Sequence, residues 1–165
     1  MRIGRKIMRI AYKVLAYLVA AEVAVQAMVI VWAIFGLFTW VDGGGVFDKS
    51  VVEGFVAGAM PFPEVAGFSM HFTNGLFVIP GLALLLLIVS FFTKLRGATK
   101  WAVIVFALVV VQVLLGGLGH ALGGALHGLN ALALFGVALH AGRRLRAATA
   151  AVVEQPAART ATPVR

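Results

Sequence analysis

The sequence predicts an all-α, polytopic membrane protein built as a bundle of four transmembrane helices. Of its 165 residues, 62% are hydrophobic and only 12% are charged, which leaves too few polar side chains to cover a soluble domain. The charges are clustered, and the uncharged runs between them approach the length of about 20 apolar residues that a helix needs to cross a bilayer. These runs are continuous instead of alternating, which favours helices over membrane-spanning strands. They cover residues 76–93, 101–119 and 122–142.

The first predicted helix covers residues 11–38 and is apolar apart from Lys13 and Glu22. Its apolar run is too long for a cleaved signal peptide, and no small-residue cleavage site precedes the next span. Residues 1–10, in which basic and apolar side chains alternate, are expected to lie on the inner membrane face.

The other three helices complete a predicted transmembrane domain of residues 1–146. The third and fourth helices are joined by a turn of only a few residues, which predicts an antiparallel hairpin. Pro80 is expected to kink the second helix. The segment after the domain, residues 147–165, is rich in Ala, Thr and Pro and is predicted to be a disordered cytoplasmic tail. The three predicted helices cover residues 68–92, 101–119 and 122–141.

The charge distribution predicts a multi-pass membrane protein with both termini in the cytoplasm. Lysine and arginine are concentrated at the start of the chain, between the second and third helices, and after the fourth. By contrast, the connection 40–67 carries four acidic residues against the single Lys49 and holds an apolar middle suited to a short helix. Because positive loops stay in the cytoplasm, this connection is expected outside. The net charge of +8 is then explained by topology and by contact with the anionic bilayer, and nucleic acid is not an expected partner.

Polar side chains inside the predicted spans need a reason, since a central charge costs about 2.5–3.5 kcal/mol on insertion scales. The chain has no cysteine, so disulfides and thiolate metal sites are excluded and attention falls on histidine. His120 lies in the turn between the third and fourth helices. Within the spans the polar residues are Glu22, Gln26, His71, Asn74, Gln112, His127, Asn130 and His140.

The depth of the histidines predicts a haem site. His71 and His127 each lie near the outer start of a helix, whereas His140 is thirteen residues further along, about 20 Å deeper at 1.5 Å per residue. Two imidazoles at one depth on two helices can ligate the iron of one b-type haem. His120 is a candidate substitute ligand or propionate contact. Small residues would admit the flat ring, and the candidates are Gly75, Gly116 and Gly117.

Simpler interpretations stand beside the haem site. Glycines also let membrane helices pack without a cofactor, and a histidine near a helix end, such as His140 beside Arg143, is usually interfacial. Glu22 and Gln26, together with Gln112 on the third helix, are expected to make interhelical hydrogen bonds, with a proton relay as the alternative. The two asparagines, each three residues after a candidate ligand, suit either support of the ligand or ordinary helix contacts.

Two stretches, "QVLLGGLG" and "ALHGLNAL", resemble the third and fourth helices of one half of the heme A synthase family. The halves of that family are four-helix bundles with a glutamine-to-LGG pattern in the third helix and a haem-ligating histidine early in the fourth. Gln112, the run 115–117 and His127 match that pattern, and His71 matches the place of the other ligand. The chain without its tail also resembles small four-helix bacterial membrane proteins that share this half-bundle.

The chain departs from the family in ways that limit what the resemblance implies. A heme A synthase has two such halves, and its second helix carries a glutamate three residues before the histidine and an arginine just after it. Here Phe68 and Phe72 occupy those positions, and the cysteine pair of some members is missing. The resemblance therefore implies haem binding without hydroxylation of a haem methyl group. One-electron transfer or haem handling near the outer face is expected, with a homodimer or a membrane redox partner.

Two other functions remain open at this point. In one, the protein is a cofactor-free accessory or packing subunit whose glycines serve a protein partner. In the other, it is a small proton-coupled transporter that uses Glu22 and His140. An enzymatic activity is not assigned.

Overall fold

The computed structural model of the protein describes the backbone of residues 2–159 and the side chains of residues 3–144. A short π-helical turn, Asn74–Val78, joins the third and fourth helices, and the described residues include no strand. The helices in chain order are α1 (Arg2–Asp42), α2 (Lys49–Val56), α3 (Val65–Thr73), α4 (Ile79–Phe92), α5 (Ala98–Gly116) and α6 (Ala121–Arg159).

The predicted all-α class is confirmed, and four helical stretches have the length and apolar composition of membrane spans. Many of their large apolar side chains are exposed, as lipid-facing residues would be. The short helix expected between the first two spans is also present, as α2. The four stretches are Ile3–Asp42, Val65–Phe92, Ala98–Gly116 and Ala121–Arg144.

The helix boundaries differ from the predicted ones at several points. α1 already begins at Arg2, so residues 3–10 continue the first helix. α5 ends at Gly116, before Gly119 takes a left-handed φ of 65° that favours glycine. α6 continues to Arg159, past the predicted domain limit and into the segment expected to be disordered, where alanine favours helix. The rest of that segment, residues 160–165, lies outside the described residues.

Pro80 stands within the continuous helical stretch Val65–Phe92. A proline removes one helical hydrogen bond and its ring meets the carbonyl four residues earlier, here that of Leu76. The π-helical turn Asn74–Val78 includes Leu76, so the helix departs from regular α geometry where the proline would conflict with it. This π turn begins three residues after His71.

The described chain forms two compact units. The terminal unit comprises the chain up to Ala21 and from Pro80 onward, and its core includes many small side chains that let helices approach closely. The buried hydroxyl of Tyr12 donates to the carbonyl of Ala98 at 3.0 Å. The buried alanines described in this unit are Ala16, Ala20, Ala83, Ala98, Ala102, Ala138 and Ala141.

The central unit is Glu22–Ile79 and contains the second part of α1, α2 and α3. α3 approaches α1 so closely that a Cβ atom at Gly67 would lie 2.7 Å from the carbonyl oxygen of Val29. Aromatic rings of the connection also pack together, with the Phe55 and Phe68 rings stacked at 5.9 Å. This close packing fixes the position of α3, which carries His71.

Candidate functional site

In the central unit, His71 and Gln26 hold α3 against α1 through two hydrogen bonds. The Nδ1 atom of His71 lies 3.2 Å from the carbonyl oxygen of Gln26, and the Gln26 amide donates back to the carbonyl of His71 at 3.0 Å. One helical turn away, the Asn74 amide donates to a carboxylate oxygen of Glu22 at 2.6 Å. The predicted interhelical hydrogen bonds of Glu22 and Gln26 are therefore confirmed.

In the terminal unit, His127 of α6 contacts α5 in a similar way. Its Nδ1 atom lies 3.0 Å from the carbonyl oxygen of Gln112. Asn130 donates to the side-chain oxygen of Gln112 at 2.6 Å and to the carbonyl of Leu108 at 2.9 Å. These bonds join α5 and α6 into the antiparallel hairpin that the short turn predicts.

The two units thus carry the same Gln–His–Asn arrangement. In each, the Nδ1 atom of the histidine contacts the main-chain carbonyl of a glutamine. The asparagine three residues after the histidine then donates to the residue four positions before that glutamine, which is Glu22 in the central unit and Leu108 in the terminal unit. The sequence separation of glutamine and histidine differs, 45 residues in the central unit and 15 in the terminal unit. The long connection 40–67 accounts for the difference, so sequence reasoning missed the duplication.

The carbonyl contacts fix the tautomer of both histidines. A carbonyl oxygen only accepts hydrogen bonds, so Nδ1 of His71 and of His127 must carry the hydrogen. In the neutral imidazole the lone pair then belongs to Nε2. Metal-binding histidines commonly show this state, in which the other ring nitrogen donates to a carbonyl and orients the ring. The chemistry of both side chains therefore fits an axial ligand of haem iron.

His120 has the opposite tautomer. Its Nδ1 accepts a hydrogen bond from the amide of Gly123 at 3.0 Å, which caps the start of α6. In the neutral ring Nε2 then carries the hydrogen, so this atom can donate to a carboxylate but cannot ligate a metal. Of the two roles expected for His120, this geometry suits the propionate contact.

The three glycines expected to line a porphyrin lie close to protein atoms. A Cβ atom at Gly75 would lie 2.9 Å from the side-chain nitrogen of Gln26, and one at Gly116 would lie 3.2 Å from the His127 ring. Gly117 forms the C-terminal cap of α5. Gly75 and Gly116 therefore make room for the Gln–His–Asn arrangements, and their role towards a porphyrin stays a prediction.

Asn74 and Asn130 also each line an open groove. The groove of the central unit has a volume of about 380 Å³, and that of the terminal unit about 600 Å³. Asn74 shares its groove with Val25, Val29, Ser69, Met70 and Thr73, whereas Asn130 is surrounded mainly by leucine side chains.

The remaining polar residues have separate roles. The exposed His140 packs its ring on Trp101, with the ring centres 4.4 Å apart. Gln26 is only 8% exposed, and its side-chain oxygen has no hydrogen-bond partner among the described residues. Within the described part of the chain, no group of three or more His, Asp or Glu residues could hold a metal ion. A haem iron needs only two protein ligands, because the porphyrin supplies the others.

Comparisons with family models, curated proteins and solved structures give no match to this chain. The resemblance to the heme A synthase family therefore stays a prediction. The functional argument rests on the chain's own residues.

Proposed function

We propose that this chain is a membrane protein that binds one b-type haem, with His71 and His127 as the axial ligands. Its role is one-electron transfer or haem handling near the outer face of the bacterial plasma membrane. Both termini lie in the cytoplasm and the acidic connection 40–67 lies outside, as the positive-inside rule favours. A homodimer or a membrane redox protein is the expected partner.

The observation that carries this proposal is the shared tautomer of the two histidines. The main-chain carbonyls of Gln26 and Gln112 keep Nδ1 protonated, so Nε2 of each neutral imidazole can donate its lone pair to iron. The same bonds orient both rings before any ligand arrives. Haem supplies one-electron chemistry when bound. Its attachment is non-covalent, since the chain has no cysteine for a thioether link.

His120 supports the same proposal in a different role. Its Nε2 hydrogen suits an anionic propionate, and few other cationic or donor side chains belong to the outer-facing segments in the proposed topology. His120 would therefore orient the haem without entering the coordination sphere.

A cofactor-free accessory subunit is the competing function, and the glycines favour it. Gly75 and Gly116 make room for Gln26 and His127, which is how small residues serve helix packing without a cofactor. The proton-coupled transporter has less support, because the Glu22 carboxylate accepts a hydrogen bond from Asn74 and the His140 ring packs on Trp101.

The deciding experiment is the visible absorption spectrum of the full chain, produced with plentiful haem and purified in mild detergent. We expect a low-spin ferric spectrum, a sharpened reduced spectrum after dithionite, and release of unmodified b-type haem by acidic acetone. A protein that stays colourless under these conditions would contradict haem binding and favour the accessory subunit. A high-spin spectrum would contradict ligation by two histidines.

A further inference from the structure

The terminal unit has a strongly basic surface, and none of its described side chains is acidic. Residues 3–21 and 80–144, whose side chains the structure describes in this unit, include no aspartate or glutamate. The salt bridge found in the described part of the chain joins Lys49 and Glu53 of the central unit. The basic side chains that the structure describes in the terminal unit are Arg5, Lys6, Arg9, Lys13, Lys94, Arg96, Lys100, Arg143 and Arg144.

Part of this charge converges on the connection between α4 and α5. The Arg9 side chain of α1 donates to the carbonyl of Thr93 at 3.4 Å, directly before Lys94. Thr93 is itself buried, and its hydroxyl accepts a hydrogen bond from the amide of Leu95 at 3.2 Å. The start of α1 is therefore held beside a connection that carries the exposed Lys94 and Arg96.

α6 brings a further guanidinium to the same connection. The Cζ atom of Arg144 lies 5.5 Å from the centre of the Trp101 ring, within the range of a cation–π contact. A Cβ atom at Gly97 would lie 4.0 Å from a terminal nitrogen of Arg144. Trp101 thus holds Arg144 beside the end of the connection, and the surface combines cations from α1, from α6 and from the connection between α4 and α5.

The surroundings of these cations are apolar. Phe91 and Phe92, at the end of α4, are 58% and 60% exposed, and Ile7 and Ile10 of α1 are also exposed. A ligand that fits this surface therefore carries both a negatively charged group and a hydrocarbon chain. A phospholipid has both, whereas a nucleic acid has no hydrocarbon chain. Guanidinium groups suit phosphate oxygens because their donors form a planar fork, and a tryptophan is typical of the membrane–water interface.

We propose that Arg9, Arg144 and the connection with Lys94 and Arg96 form a binding site for the phosphate of an anionic phospholipid. The acyl chains of this lipid lie along the exposed phenylalanines of α4. The site is independent of haem, so it holds even if the chain binds no cofactor. It adds a defined lipid position to the general attraction between basic loops and anionic membranes.

The test uses Trp101 as the reporter in the full chain. Trp32→Phe and Trp40→Phe leave it as the single tryptophan, and the protein is reconstituted in phosphatidylcholine containing brominated lipid. Bromine quenches only nearby tryptophan. We expect brominated phosphatidylglycerol to associate with the Trp101 region at least about threefold better than brominated phosphatidylcholine, with the preference lost at about 1 M salt.

Matched variants separate a site from diffuse charge. Arg144→Gln and Arg9→Gln should each reduce the anionic preference, and Arg9 gives a reading free of direct effects on Trp101. Arg143→Gln removes the same charge from the neighbouring exposed position, for which the described residues show no hydrogen bond or ring contact, and should leave most of the preference.

Four results would overturn the proposal. They are equal quenching by the two brominated lipids, equal loss in Arg143→Gln and Arg144→Gln, displacement of the lipid by inorganic phosphate alone, and tight binding of a short DNA duplex without any lipid preference.

Discussion

The Nδ1 atom of His71 lies 3.2 Å from the main-chain carbonyl oxygen of Gln26, so the backbone of α1 orients this imidazole. His127 is oriented by the carbonyl of Gln112 in the same manner. Because a carbonyl belongs to the main chain, the bond survives a substitution of the glutamine that leaves the helix spacing unchanged. The small residues that set this spacing should therefore control the histidines more strongly than the glutamine side chains do.

Gly116→Ala is expected to disturb His127. The added methyl group would lie 3.2 Å from the ring, so either the imidazole or α5 must shift by a few tenths of an ångström. We expect a loss of about 1–3 kcal/mol in the free energy of unfolding, the usual cost of overpacking. Denaturation of the purified protein in detergent measures this loss.

Gly128→Ala is the matched control, since nothing lies within 4 Å of a Cβ atom at that position of α6. Helix propensity then predicts a neutral effect or a gain of up to about 1 kcal/mol. Equal losses in Gly116→Ala and Gly128→Ala would show that the space beside His127 has no special importance.

Asn130→Ala should weaken the hairpin of α5 and α6. It removes the bonds to the side chain of Gln112 and to the carbonyl of Leu108, and leaves the partly buried glutamine oxygen without its donor. Interhelical bonds in membranes average about 0.6 kcal/mol and reach about 1.7, so we expect a loss of about 1 kcal/mol in unfolding free energy. Ala133→Ser, which changes polarity on the same groove without touching these bonds, should be nearly neutral.

The sequence was sufficient to predict the helical class and the number of apolar spans, because uncharged runs have few alternatives in a bilayer. It also singled out His71 and His127 together with the asparagines that follow them. The glutamine partners were not paired with the histidines, since tertiary contacts at separations of 45 and 15 residues share no local periodicity. The signal that could have found them was the repeated His-x-x-Asn pattern, with one glutamine on each preceding helix.

The role of His120 could not be predicted from the sequence either. Whether a histidine in a turn caps the next helix depends on its backbone geometry, here the bond from the Gly123 amide to its Nδ1. The glycines show the same limit. Their spacing predicts that another group comes close to the backbone. Only the packing of the folded chain decides which group this is, the Gln26 amide at Gly75 and the His127 ring at Gly116.

Glu22→Gln is expected to be mild. The substituted amide keeps an oxygen that can accept the hydrogen bond from Asn74, which Glu22 now accepts at 2.6 Å. We expect a change below about 0.5 kcal/mol in unfolding free energy, against about 1 kcal/mol for Glu22→Ala, which removes the acceptor. Proton flux into vesicles is measured in parallel. Flux that is present in the native protein and abolished in Glu22→Gln would support the transporter instead.

The acidic connection between α1 and α3 should face the outside of the cell. A phosphatase that is active only outside, fused at Gly44, is expected to be active, because residues 40–67 carry four carboxylates against one lysine. The matched fusion at Leu95, within the basic connection of α4 and α5, should be inactive. An inactive fusion at Gly44 together with an active fusion at Leu95 would show that the topology is inverted. His71 and His127 would then not lie near the outer face, as the haem hypothesis requires.

Substitution of single histidines should separate ligands from their neighbours. His71→Ala and His127→Ala are each expected to convert a low-spin spectrum into a five-coordinate or haem-free one, because each removes an imidazole whose Nε2 holds the lone pair. His120→Ala should weaken haem retention without changing the spin state, since Nε2 of that ring carries a hydrogen. His140→Ala should leave the spectrum unchanged, because this ring packs on Trp101. If His71→Ala kept a normal low-spin spectrum, the ligand pair would be wrong, and the hydrogen bond between His71 and Gln26 would serve only to pack α3 against α1.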